Sequence, residues 1–201
     1  MRGLLQCSIG LVLSMGLFTS TQAMEGQPLN RTALIAQNCM NCHGANGISQ
    51  GPAIPSIAGF SRSYLERSLL EYKSDQRHST IMGRIAKGYS DEDLKLLAEY
   101  FAQQPFIRAP QVTEPTLVTQ GKALYRQHCA VCHIQNGTVD KTGAAIIAGQ
   151  WKPYLQFALT DFQTGVRKSP RGMTKSLDAV EQRYGAEGFK ALIEFYASQP
   201  E

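Results

Sequence analysis

The sequence has no run of lysine or arginine and only a small excess of positive charge. Its 201 residues carry 20 Lys and Arg against 16 Asp and Glu, a formal net charge of +4. Proteins that bind nucleic acid or an anionic membrane surface through charge normally show a basic cluster or stripe, so the composition supports neither class. The sequence also lacks convincing alternation of apolar and polar residues, which argues against strands.

A short apolar stretch opens the chain. It follows Arg2 and runs from residue 3 to residue 18, and the small residue Ala23 closes the polar segment after it. A positive residue, an apolar run and a small residue are the three parts of a secretory signal peptide, and the run is short for a membrane span. We expect cleavage near Ala23, export to the periplasm without membrane attachment, and removal of Cys7. A retained anchor is the alternative.

The remaining four cysteines belong to two copies of one motif, Cys-x-x-Cys-His. The copies are Cys39, Cys42 and His43, and Cys129, Cys132 and His133, at an offset of 90 residues (39 to 129). The same offset aligns "SIAGFSRSYLERSLLEY" (56–72) with "IIAGQWKPYLQFALTDF" (146–162). Later, "LAEYFAQQP" (97–105) matches "LIEFYASQP" (192–200) at an offset of 95 (97 to 192). The chain therefore contains one small domain twice, with a few residues inserted late in the second copy.

A proline-punctuated segment separates the two copies. We predict domains at 24–105 and 117–201, joined by an extended linker at 106–116. Apolar residues at helical spacing predict helices before each cysteine pair and in the segments that follow, one of them with Ser90 as its N-cap. The expected fold class is all-α.

Three chemistries use a Cys-x-x-Cys pair: a zinc site, a thiol–disulfide centre and a covalent haem anchor. Structural zinc needs four ligands, usually in two close pairs, whereas the pairs here are 87 residues apart (42 to 129). A thioredoxin-type centre lies beside a βαβ pattern and needs no following histidine. Cys-x-x-Cys-His fits c-type haem, whose vinyl groups bind the thiols and whose iron binds the histidine. We therefore expect two covalently bound haem c groups.

The second axial ligand of each iron is found by elimination among six methionines. Three lie at or before position 24, and Met40 lies inside the first cysteine motif, on the histidine side. Met82 and Met173 remain, one in each copy and 91 residues apart (82 to 173). His78 is a rival to Met82, but we expect it to be an exposed loop residue; His128 adjoins Cys129 and is disfavoured too. A histidine and a thioether leave no free iron position, which favours outer-sphere electron transfer over catalysis.

The two-haem layout resembles the cytochrome c4 group. The segments "STIMGRIAKGYS" (79–90), "AGQWKPYLQFALTDF" (148–162) and "FYASQP" (195–200) are similar to the dihaem cytochrome subunit of flavocytochrome c sulfide dehydrogenase. This resemblance implies two tandem class I-like cytochrome c domains. It also implies thioether bonds at the four cysteines and axial pairs His43 with Met82 and His133 with Met173.

The resemblance further implies partners. An FAD-containing flavoprotein would oxidise sulfide and form a heterodimer with this chain, which would be no enzyme by itself. The chain would pass electrons to a soluble acceptor cytochrome c. One alternative is a free-standing, cytochrome c4-like carrier that feeds a terminal oxidase. A dihaem peroxidase is a third hypothesis, and the methionine pair argues against it.

The sequence also predicts how the second histidine is held and where Trp151 and two repeat-related tyrosines lie. Proteins of this kind often hold the ligating histidine through a proline carbonyl, but at the repeat position of Pro55 the second copy has Ala145. The second histidine should therefore find another carbonyl. Trp151 is expected to pack in a core or between the domains. Tyr64 and Tyr154, which match at the repeat offset, are expected either to bond a haem propionate or to pack in a core.

Overall fold

The computed structural model describes residues 30–140 and 143–199, and this part of the chain contains helices, turns and loops but no strand. The expected signal peptide, with Cys7 and Ala23, lies outside the described residues. None of the helices in residues 30–140 and 143–199 is both long and apolar enough to cross a membrane. The predicted all-α fold class is confirmed.

The first half contains four α-helices, and three of them begin at a residue whose side chain caps the helix. The four helices are α1 (Arg31–His43), α2 (Arg62–Lys73), α3 (Met82–Lys87) and α4 (Asp91–Ala102). Asn30 caps α1, because its side-chain oxygen accepts from the backbone N–H of Thr32 at 2.9 Å. Ser90 caps α4, as the sequence predicts, and forms a reciprocal capping box with Asp93.

The second half repeats this order with two changes. Its helices are α5 (Pro115–Leu124), the short turn α6 (Ile134–Gly137), α7 (Lys152–Gln163) and α8 (Arg171–Ala197). A π-helical turn, Tyr125–Cys129, replaces regular helix just before the second cysteine pair. The long α8 is broken at Gly185, where φ is 57°. Its part before the break corresponds to α3 and its part after the break to α4, so the inserted residues lengthen the first of these two parts.

The loops after the two histidines share a left-handed glycine and the hydrogen bonds that its carbonyl accepts. Gly47 and Gly137 have φ of 81° and 80°, in the left-handed region that only glycine enters freely. Their carbonyls accept from Ile57 and Ala58 in the first half and from Ile147 and Ala148 in the second. These hydrogen bonds fold each loop back, so that the Pro55 carbonyl lies beside His43 and the Ala145 carbonyl lies beside His133.

Each half has its own apolar core. The first is formed by Ala36, Phe60, Leu65, Leu94, Leu97, Ala98 and Phe101, joined by Ile146 of the second half. The second includes Leu124, Tyr125, Leu155, Val180, Phe189, Leu192, Phe195 and Tyr196. Helix α5 crosses α8 so closely that a Cβ on Gly121 would lie 2.0 Å from the Ala191 carbonyl oxygen. Helix crossing of this kind fixes the position of the cysteine motif that follows α5.

Buried hydrogen bonds join the two halves. Gln150 is 1 % exposed, and its amide pairs with the Ser56 backbone, accepting from N–H at 3.0 Å and donating to C=O at 2.8 Å. The Trp151 indole donates to the Ser49 carbonyl at 3.2 Å, and its ring lies against Gly51. Trp151 therefore packs between the halves, as expected. The segment between Ala102 and Pro115 is bound to the second half, for example through Ala109 N–H and the Gly149 carbonyl at 2.8 Å.

Candidate haem sites

The first cysteine pair lies in the last turn of α1. Cys39 packs partly buried against the first core, whereas Cys42 is exposed, and both are free thiols. Burial and the neighbouring Cys42 raise the pKa of Cys39 to about 11. The helix ends immediately after His43, at Gly44, whose φ of 75° turns the chain away. One helical turn thus presents two thiols and an imidazole together, as covalent haem attachment requires.

His43 is oriented by the loop that follows it. The ring is 8 % exposed, and its Nδ1 lies 2.8 Å from the Pro55 carbonyl oxygen. Burial lowers the pKa of His43, with the Pro55 bond acting in the opposite direction. A neutral ring whose Nδ1–H donates to a carbonyl keeps its Nε2 lone pair free, which is the arrangement found in metal-binding histidines. The expected proline-carbonyl bond is therefore present in the first half.

The second motif is built differently. The π-helical turn ends at Cys129, which is partly buried, and the turn that follows it carries Cys132, which is exposed. Burial lowers the pKa of His133, and the Ala145 carbonyl lies close enough to oppose this shift. However, the buried Nδ1 of His133 makes no hydrogen bond of ordinary geometry. Ala145 occupies the repeat position of Pro55. The second half therefore places a carbonyl beside the histidine at the same point of the loop, but from an alanine instead of a proline.

The two candidate methionines occupy matching places. Met82 is the first residue of α3 and Met173 lies in the first turn of α8, and both are partly buried. Their role as iron ligands stays a prediction. Met40 packs against the first core from within the cysteine motif. His78 is exposed in the loop before α3, as expected.

The donor set fits haem better than zinc. Within residues 30–140 and 143–199, no three His, Cys, Asp or Glu side chains converge into a group that could hold a metal ion. A structural zinc site needs four such ligands, so the zinc hypothesis finds no ligand set there. The thiol pair and the adjacent imidazole of each half, with Met82 or Met173 as a candidate thioether ligand, match the requirements of c-type haem.

Sequence reasoning missed two groups that the fold brings to the boundary between the halves. Gln150 joins the halves through its side-chain amide, and nothing in its sequence context distinguishes it from a surface glutamine. Arg77 and Arg167 also meet there, and they are separated by the repeat offset of 90 residues (77 to 167). That offset was a usable signal, because two arginines at matching positions of a duplicated domain point to a shared role.

Both halves match models of cytochrome families. The model of the cytochrome c family matches residues 31–105, and the model of subunit III of cbb3-type cytochrome c oxidase matches residues 116–195. A solved structure of reduced recombinant cytochrome c4 from Pseudomonas stutzeri superposes with a TM-score of 0.71 at 27 % identity, covering 84 % of this chain and 98 % of that one.

The chain is similar in sequence to cytochromes c4 and to a cytochrome subunit of sulfide dehydrogenase. Cytochrome c4 of Azotobacter vinelandii is 34 % identical over 149 residues, covering 64 % of this chain and 69 % of the relative. Cytochrome c4 of Pseudomonas aeruginosa is 29 % identical over 196 residues, covering 93 % of this chain and 95 % of the relative. The cytochrome subunit of sulfide dehydrogenase of Chlorobaculum tepidum is 46 % identical over 72 residues, covering 36 % of this chain and 64 % of the relative. The likeness to cytochrome c4 is longer, and the likeness to the sulfide dehydrogenase subunit is higher but local.

Proposed function

Because the chain belongs to the dihaem cytochrome c4 family, we propose that it is the electron-transfer subunit of a periplasmic sulfide dehydrogenase of the flavocytochrome c type. The chain is a cytochrome c electron carrier with two covalently bound haem c groups. In the proposed complex an FAD-containing flavoprotein oxidises sulfide, and this chain passes the electrons to a soluble acceptor cytochrome c. Residues 1–23 would be removed on export, leaving one haem in 24–105 and one in 117–201, joined by 106–116.

The residues of each half have distinct roles in this proposal. Cys39 and Cys42 bind the first haem covalently, and Cys129 and Cys132 bind the second. His43 with Met82, and His133 with Met173, are the axial ligand pairs. Each haem, when bound, supplies one-electron oxidation and reduction of its iron. The Pro55 carbonyl holds the His43 imidazole in one orientation through Nδ1. With both axial ligands supplied by the chain, no substrate would have an open position at either iron.

A single observation supports the flavoprotein partner. The local identity of 46 % to the sulfide dehydrogenase subunit exceeds the 29 % to 34 % identity to the cytochromes c4 named above. A free-standing carrier that feeds a terminal oxidase is the second candidate, and it is favoured by the 95 % coverage of the Pseudomonas aeruginosa cytochrome c4.

Native purification from the source cells separates the two candidates. Haem absorbance is followed through each column, and the fractions are assayed for flavin and for reduction by sulfide. Co-elution of flavin with this chain, and reduction of both chromophores by sulfide at catalytic rates, are the expected results. Elution of the haem protein alone, with sulfide reducing it no faster than another cytochrome c, would instead favour the free carrier. An unaltered ferric spectrum after addition of peroxide or cyanide excludes the peroxidase hypothesis.

A further inference from the structure

One tyrosine hydroxyl is buried beside the second cysteine motif. Tyr196 is 6 % exposed, and its ring lies edge-on to the His133 ring, with the two centroids 6.5 Å apart. The Tyr196 hydroxyl makes no hydrogen bond of ordinary geometry within the part of the chain that the structure describes. A buried hydroxyl without a partner destabilises a protein, so this group calls for an acceptor.

The first half places a ring at the same position but without a hydroxyl. Phe101 is the repeat mate of Tyr196 at the late offset of 95 residues (101 to 196). A Cβ on Gly47 would lie 2.8 Å from the Phe101 ring, and a Cβ on Gly137 would lie 3.0 Å from the Tyr196 ring. Phe101 is 2 % exposed. Phenylalanine therefore fills this position well, and packing alone does not require the hydroxyl in the second half.

The Tyr196 hydroxyl lies beside the Cys129 sulfur, and Cys129 packs against the apolar core to which Tyr196 belongs. Burial raises the pKa of Cys129, and the Tyr196 hydroxyl, which lies close enough to interact with the sulfur, opposes this rise. Burial also raises the pKa of Tyr196 well above its usual value, and Cys129 beside it adds to the rise. The phenol therefore keeps its proton and has it available for a hydrogen bond to sulfur.

Haem attachment decides which of these two groups donates. The sulfur of a free thiol is a weak acceptor and its S–H is a weak donor. When the thiol adds to a vinyl group, the S–C bond forms and the thiol hydrogen goes to the other vinyl carbon, so the addition needs no external oxidant or reductant. The sulfur of the resulting thioether has no proton and only accepts. The Tyr196 O–H is then the donor of this pair, and the Cys129 sulfur is the acceptor.

We propose that the Tyr196 hydroxyl donates a hydrogen bond to the thioether sulfur of Cys129 and thereby raises the reduction potential of the second haem alone. The positive end of the O–H dipole points at an atom bonded to the haem, and positive charge near a haem favours ferrous over ferric iron. Hydrogen bonding around a haem is one of the means by which a protein sets its potential. The first half has no counterpart, because Phe101 carries no hydroxyl. The inference rests on the proposed attachment of haem at Cys129 and not on the flavoprotein partner, so the loss of either proposal leaves the other standing.

A redox titration of the holoprotein, followed by haem absorbance, tests the effect on the potential. Tyr196→Phe keeps the ring and removes the hydroxyl, so the ratio of reduced to oxidised second haem at a fixed potential should fall about threefold. This corresponds to about 30 mV, because a tenfold change is about 59 mV for one electron. The matched control is Tyr100→Phe, since Tyr100 is partly buried beside Phe101 and its repeat mate, Phe195, has no hydroxyl. The control should leave both potentials unchanged. The proposal is overturned if Tyr196→Phe shifts neither potential by more than the control does, or shifts both equally.

Two further measurements separate the hydrogen bond from a change in packing. Phe101→Tyr places a hydroxyl at the matching position of the first half, so it should raise the potential of the first haem and leave that of the second unchanged. An unchanged first potential would contradict the proposed cause. In the nuclear magnetic resonance spectrum of the reduced holoprotein, the Tyr196 hydroxyl proton should exchange slowly with water and show an Overhauser effect to the β-protons of Cys129. A hydroxyl proton without that effect would contradict the hydrogen bond, even if the potential changes in Tyr196→Phe.

Discussion

Replacement of Gln150 by glutamate should weaken the junction between the halves far more than its small chemical change implies. Gln150→Glu keeps an oxygen to accept from the Ser56 N–H but removes the N–H that donates to the Ser56 carbonyl. The Ser56 carbonyl would then face a carboxylate oxygen in a site that is 1 % exposed at residue 150. An unsatisfied buried carbonyl costs about 1–3 kcal/mol, and a buried unpaired carboxylate adds several more. We expect a loss of at least about 3 kcal/mol.

Thermal unfolding of the holoprotein, followed by far-ultraviolet circular dichroism, measures this loss. For a chain of this size, 3 kcal/mol corresponds to a melting temperature lowered by about 6–12 °C. The matched control is Gln156→Glu, the same change at an exposed position of α7, which should alter the melting temperature little. Burial raises the pKa of the introduced glutamate, so its destabilisation is complete above that pKa and fades as the pH falls through it. Equal melting temperatures for the two variants at neutral pH would refute this account of the junction.

Three other substitutions test separate parts of the structure. Gly121→Ala should destabilise the second half by about 1–3 kcal/mol through overpacking at the α5–α8 crossing, whereas Gly172→Ala, with nothing within 4 Å of the added carbon, should not; urea unfolding compares them. Hydrogen bonds from Ser90 and Arg31 lower the pKa of Asp93, so the stability it contributes is present above its unfolded pKa and is lost as the pH falls through the lower folded pKa. In Asp93→Asn the stability should no longer fall over this pH range, because asparagine does not titrate. Acid unfolding curves of the two proteins measure this difference, and curves of identical shape would contradict it. Met82→Ala should open one iron to carbon monoxide, visible in the absorption spectrum of the reduced protein, while the unmodified protein should bind none.

Duplication made most of the fold predictable from the sequence. Two weak signals at one offset support each other, so the helices in both copies and the Ser90 cap could be predicted and are confirmed. Two local features of the second half could not be predicted from the sequence. The π-helical turn before Cys129 depends on how α5 packs against α8, and the fusion of the last two helices into α8, broken only at Gly185, depends on where the inserted residues lie.

The contacts between the halves were only partly predictable. The position of Trp151 between the halves was one of two expectations, because an indole packs well at either a core or a junction. Gln150 could not be recognised, since an amide becomes structural only when the fold brings a backbone segment from far along the chain, here Ser56, to meet it. The arginines could have been recognised from the repeat. Pairing between distant segments is a tertiary property, and no local pattern within one copy encodes it.

The difference between the two histidines predicts the order of the haem potentials. His43 Nδ1 lies 2.8 Å from the Pro55 carbonyl oxygen, whereas His133 Nδ1 makes no hydrogen bond of ordinary geometry beside Ala145. Donation from Nδ1–H makes an imidazole a more basic iron ligand, and a more basic ligand favours ferric over ferrous iron. The haem of the first half should therefore have the lower potential, so that electrons pass from it to the haem of the second half.

In the proposed ligand set each methionine belongs to one haem, so its replacement should change the potential of that haem and assign it. In a redox titration of Met82→Ala, the lower of the two original potentials should move and the higher should stay, while Met173→Ala should do the reverse. If Met82→Ala moves the higher potential instead, the histidine hydrogen bond does not set the order, and electron flow from the first half to the second loses its physical basis.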